Sequence, residues 1–132
     1  MIMKKIYPIF FMLLVSLLAS ACSGTTLSNK MTEAERNNLE KIYSFDLSAE
    51  TITFVVKSTG CTNKDDFELL YQAHQGHHEF ALKRLKQDMC RAMPRAYPVS
   101  FKLPAEGISS DNLTVLNAID ENTPVKGIKR GR

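Results

Sequence analysis

Three histidines and three cysteines are the side chains of this 132-residue chain best suited to chemistry. His74, His77 and His78 fall within five positions. Neutral imidazole is a common ligand for zinc and copper, so the cluster is a candidate metal site. Against it, adjacent His77 and His78 would point to opposite faces of a strand, and only Glu79 stands near enough in sequence to complete a set. Exposed turn histidines are the competing reading. Asp65, Asp66 and Glu68 could hold a cation or act as acid and base, but the alternating oxygen ligands and central glycine of a calcium loop are missing. Ser109-Ser110-Asp111 reads as a loop or a helix start. The chain carries no G-x-S-x-G, H-E-x-x-H, P-loop or glycine-rich dinucleotide turn, and no cofactor is expected. A small enzyme is the least favoured alternative, kept because catalytic groups converge from distant positions.

The third cysteine, Cys22, belongs to a different kind of chemistry. Lys4 and Lys5 give a positive start, Ile6 to Leu18 an apolar run, and Ala19-Ser20-Ala21 the small residues that a signal peptidase needs. A spanning helix needs about 20 apolar residues. This run is shorter and carries Pro8 and Ser16. The segment Leu18-Ala19-Ser20-Ala21-Cys22 resembles the lipobox of bacterial lipoproteins, with Ala19 where a branched aliphatic residue is commonest. The resemblance covers residues 1–22 alone. It implies that the Cys22 thiol takes a diacylglycerol, that the chain is cut before Cys22, and that the new amino group is acylated. Each buried methylene contributes about 0.8 kcal/mol, so two or three acyl chains make attachment lasting. Ser23, rather than Asp, follows the cysteine, so if the source is Gram-negative the resemblance implies the outer membrane, facing the periplasm.

Removing residues 1–21 leaves 111 residues, enough for one small domain. Two of the 17 basic side chains leave with the signal, so 15 face 14 acidic ones. A nearly neutral domain gives no argument for nucleic acid. Residues 22–31 read as a lipidated flexible tether, reaching at most about 30 Å when extended. Residues 32–119 form the domain, and 120–132 a basic, disordered tail. The expected partners are the membrane, through the lipid, and an envelope protein or polyanion.

Several elements must position these groups. Thr32 and Glu35 make a capping box, which predicts a helix from about Glu33 whose apolar positions are Ala34, Leu39, Ile42 and Tyr43. Thr51 to Lys57 alternates and is β-branched, a strand. Asp66 to Ala73 and Glu79 to Lys86 alternate on either side of Gln75-Gly76. With that pair as a tight turn, facing positions sum to 151. The register sets Tyr71 against Phe80, Leu69 against Leu82, Glu68 against Lys83 and Asp65 against Lys86, pairs that stabilise a sheet. Arg84 then faces Phe67, where its stem can pack on the ring. The same register sets Cys61 against Cys90, within disulfide reach, while the turn-like Cys61-Thr62-Asn63-Lys64 argues against strict strand pairing that far. Two thiols outside the cytoplasm allow one such bridge, and no C-x-x-C suggests a redox role. A rival helix over residues 78–93, with Leu82, Leu85, Met89 and Ala92 on one face, stays open. Tyr97 to Leu103 is an edge strand with prolines, and Leu113 to Ile119 a weaker strand.

The expected fold is α+β, mainly β: a short N-terminal helix followed by a small antiparallel β-sheet domain with one disulfide. The expected role is non-catalytic, binding or structural, in the cell envelope. It predicts an exposed apolar or aromatic patch, with the proline-rich edge strand as a candidate place, and no deep polar cleft. Metal handling through the histidines is the alternative.

Overall fold

The computed structural model describes residues 26–122. Cys22, the signal segment and positions 123–132 of the basic tail lie outside the described residues. Two short helices, α1 (Leu27–Lys30) and α2 (Glu33–Asn37), precede six strands. These are β1 (Ile42–Leu47), β2 (Thr51–Ser58), β3 (Phe67–His74), β4 (His77–Arg84), β5 (Arg95–Lys102) and β6 (Leu113–Val115). They form two three-stranded sheets, ordered β1-β2-β5 and β3-β4-β6.

Alternation in β2 decides the first sheet. Ile52, Phe54 and Val56 are fully buried while Thr51, Thr53 and Val55 are not, as the two-residue period of a strand requires. β1 and β5 pair antiparallel on either side. β5 is therefore an edge, where Pro98 can lack its N–H without orphaning a central ladder. In the second sheet, β3 and β4 form the hairpin. Its register is the one the side-chain pairs predict, from Phe67↔Arg84 to His74↔His77. Phe67, Phe80 and Leu82 face Ile42, Ile52, Phe54, Val56 and Val99 across one shared core.

The outer face of the second sheet is covered too. Leu27 and Leu39 pack on Ala81, with Met31, Leu70 and Leu116 around them. The end of the expected tether is thus a docked helical turn, because Leu27 finds an apolar seat. The predicted helix is also shorter than its apolar pattern suggested. Its capping box forms at Thr32 and Glu35, but Asn38 ends it and Ile42 and Tyr43 belong to β1. Asn is a poor helix former, and β-branched and aromatic side chains suit a strand. Tyr43 occupies the irregularity between Ile42 and Ser44, where the register with β2 shifts.

The sheets are not wholly antiparallel. β6 pairs parallel with β4, and Ile119 bridges Ile42 in parallel. The weaker strand expected over 113–119 is therefore divided between the two sheets. Asn117, only 6% exposed, makes the join. Its Oδ1 accepts from the Leu82 N–H at 2.7 Å, while its Nδ2 donates to the carbonyls of Leu82 and Glu40, each at 2.7 Å.

Candidate functional site

Beyond Arg84 the hairpin ends, and three loops converge there. Asp66 closes the 3-10 turn Lys64–Asp66, and its carbonyl accepts from the Leu85 N–H at 2.7 Å. The chain therefore leaves the ladder before the expected Asp65–Lys86 pair. Cys61 and Cys90 are joined as a disulfide with their Cα atoms 5.6 Å apart, reached through loops rather than through paired strands. Gly60 allows the approach. Its φ is +121°, and a Cβ there would meet the Ala92 and Cys90 Cβ atoms at 3.2 and 3.4 Å.

Asp88 organises this crossing. Its carboxylate accepts from the Thr59 N–H at 2.7 Å, the Cys90 N–H at 3.1 Å, the Cys61 N–H at 3.3 Å, and the hydroxyls of Thr62 at 2.6 Å and Ser58 at 3.3 Å. These donors stabilise the ionised form, the Thr62 hydroxyl most of all. They hold its pKa well below the ordinary carboxylate range, although partial burial pulls the other way.

Arg84 sits beside this hub. Its guanidinium makes a two-pronged pair with Glu40 at 2.8 and 2.9 Å, donates to the Lys57 carbonyl at 3.0 Å, and lies 4.4 Å from the centre of the Phe67 ring. The side chains of Arg84 and Glu40 are 8% and 16% exposed. One cation thereby ties β4, β2 and the segment before β1.

These groups open onto a groove of about 600 Å³, within the size range of small-molecule sites. Asn37, Glu40, Tyr43, Lys57, Arg84 and Asp88 are among its lining residues. The groove is mainly polar and partly open to solvent. The apolar patch lies elsewhere than expected. On the proline-bearing edge strand Val99 is buried and Tyr97 and Phe101 are partly covered. Leu85, Met89 and Met93, in the loop between β4 and β5, are the most exposed large apolar side chains among the described residues.

The histidines stand at the other end of the hairpin. His74 and His77 face each other across the Gln75-Gly76 turn, as the register requires. His78 turns to the opposite face from His77, stacks on Tyr71, and brings Nδ1 within 2.8 Å of the Tyr71 hydroxyl. His77 Nε2 lies 2.8 Å from the Thr114 hydroxyl. Among the described residues, the one group of three potential metal-ligating side chains that converges is Cys61, Asp88 and Cys90. Its sulfurs are joined to each other and its carboxylate is saturated with donors, so it offers no thiolate. Asp65, Asp66 and Glu68 do not form a shared site: Asp66 accepts from the Asn63 N–H at 2.8 Å, and Glu68 faces Lys83 in the sheet.

Asp88, Glu40 and Asn117 were not visible as site residues in the sequence, because isolated polar residues carry no spacing signal. Arg84 on Phe67 and the Cys61–Cys90 bridge were the legible contacts beside the groove. No family model, curated protein or solved structure matches this chain, so the groove is interpreted through its own chemistry.

Proposed function

We propose that this chain is a lipid-anchored cell-envelope protein, fastened through Cys22 and directed to the outer membrane facing the periplasm, whose small β domain has a non-catalytic binding or structural role. The location follows from the lipobox-like segment Leu18–Cys22, and a disulfide in the folded domain suits an oxidising compartment. Among the described residues no helix is long and apolar enough to cross a membrane, and the anchor in this reading is the acylated Cys22.

The pairing of Glu40 with Arg84 and the full set of donors on Asp88 carry the non-catalytic half of the proposal. Glu40 and Arg84 neutralise each other, and Asp88 is held ionised by five donors. A general acid or base near neutral pH needs a pKa moved toward 7. Asp88 is moved the other way. Such a groove recognises by fixed shape and hydrogen bonding.

Fractionation with intact-mass measurement tests the anchor. The native protein is expected to sediment with membranes and to carry the added mass of acyl chains, while Cys22→Ser is released. A mature protein whose mass holds no acyl addition overturns the reading. The second reading, metal handling through His74, His77 and His78, is favoured by the facing of His74 and His77 across the turn. Saturable zinc or copper binding by calorimetry, lost in His74→Ala and His77→Ala, would put it in first place.

A further inference from the structure

Loop 85–94 combines two properties that soluble surfaces rarely place together. Leu85, Met89 and Met93 are 58%, 84% and 87% exposed, and neither methionine lines the groove. Between and beside them stand Lys86, Arg91 and Arg95, all exposed, and none is ion-paired with another described residue. The segment's single carboxylate, Asp88, is turned inward and consumed by its donors. The outward-facing charge is therefore wholly positive. The loop is also held in place. The Leu85 N–H donates to the Asp66 carbonyl at 2.7 Å, the Ala92 N–H to the Thr59 carbonyl at 2.8 Å, and Cys90 is bridged to Cys61.

We propose that this loop is a membrane-contacting surface that seats Leu85, Met89 and Met93 in the interface of an anionic lipid bilayer, with Lys86, Arg91 and Arg95 on the headgroups. Its cellular setting rests on the anchor at Cys22, whereas the contact itself needs no acyl chain. Interfacial binding scales with buried apolar area plus attraction between cations and anionic lipid, and this loop supplies both. Methionine is unbranched and adaptable, which suits insertion among fluid acyl chains. Charge disfavours two nearer occupants: the C-terminal tail carries Lys126, Lys129, Arg130 and Arg132, and a second copy docked loop to loop would oppose cation to cation. Because bridge and hub already order the loop, little conformational freedom is lost on contact.

The test uses the acyl-free mature chain from Ser23. Both hydrophobic clusters and all six strands lie within it. Flotation with phosphatidylcholine vesicles, with and without phosphatidylglycerol, is expected to show binding to the anionic vesicles, weakened by salt. The pair Met89→Ser and Met93→Ser should lose about tenfold in affinity, with an unchanged melting curve because both side chains are exposed. Replacing Lys86, Arg91 and Arg95 by Gln should lose about fivefold per cation. No flotation with anionic vesicles, or flotation that ignores both sets of substitutions, overturns the proposal. So does binding to native membranes that protease-stripped membranes and pure vesicles lack, which would identify an acidic protein as the occupant. If the native protein is acylated while the acyl-free chain ignores vesicles, the loop proposal falls and the anchor stands. If the acyl-free chain binds and the native protein carries no acyl group, the outcome is reversed.

Discussion

Asp88 acts as a structural anion. A carboxylate that accepts from three backbone N–H groups and two hydroxyls satisfies donors that two crossing loops would otherwise leave unpaired. Asn117 does the corresponding work for β4, serving both the N–H and the carbonyl of Leu82 as a neighbouring strand would. The depressed pKa of Asp88 has a consequence for stability with a definite sign. Its unfolded-state value is about 3.9, and the folded value is lower. The contribution of the ionised carboxylate is therefore complete above the unfolded pKa and is lost as pH falls through the folded one. Urea unfolding of the wild type and Asp88→Asn should differ by a constant amount above about pH 5. The difference should shrink progressively below about pH 4. A gap that stays constant down to the acid limit of the measurement would show that the carboxylate's charge is not what holds these loops.

At the scale of the element, the β3–β4 hairpin was legible in advance because three signals agreed: alternation, facing pairs and a glycine at the turn. Its register is realised from Phe67↔Arg84 to His74↔His77, and the rival helix over 78–93 is excluded by β4 and the extended loop after it. Pattern reading failed where tertiary contacts override local preference. Leu27 sat in a polar stretch, and only the Ala81 and Leu39 surfaces make it core. Ile42 and Tyr43 continued a helical spacing, yet the chain needed a third strand beside β2. The parallel pairing of β6 could not be foreseen from a segment whose partner lies more than thirty residues earlier. The groove was illegible for the same reason, since its walls come from five separate stretches. The turn itself retains a local imperfection. Gln75 adopts φ +49° and Gly76 φ +79°, the left-handed pair of a two-residue hairpin turn that favours Asn-Gly. Gln75→Asn is expected to stabilise the fold by about 0.5 kcal/mol, since Asn tolerates positive φ better than Gln. Gly76→Ala should cost about 1 kcal/mol for backbone conformation alone, because its added Cβ meets nothing within 4 Å. Thermal melts of the two variants check both signs, and a destabilising Gln75→Asn would rule out this description of the turn.

On the scale of the whole molecule, two sheets share one core while the N-terminal turns cover the outer face of the second. Neither sheet closes alone, and their far ends are fastened by groups from three distant parts of the sequence. Arg84 and Glu40 join β4 to the start of β1, Asn117 joins the C-terminal segment to both, and Cys61–Cys90 joins the two loops at the groove. The covalent tie acts chiefly on the unfolded chain. With a separation of 29 residues, closing the loop lowers the entropy of the denatured ensemble enough to contribute about 3–4 kcal/mol. Cys61→Ala with Cys90→Ala should lose about that much in urea denaturation, with a larger dependence on denaturant because the unfolded state expands. The noncovalent hub should survive in the folded state, since all of Asp88's donors are backbone N–H groups or hydroxyls rather than sulfur. The double variant is therefore expected to unfold in one transition and to keep the Asp88 acid signature. If that signature disappears along with the sulfurs, the bridge positions the loops and Asp88 merely follows. If stability scarcely changes, the hub alone fixes the crossing and the disulfide is dispensable to the groove.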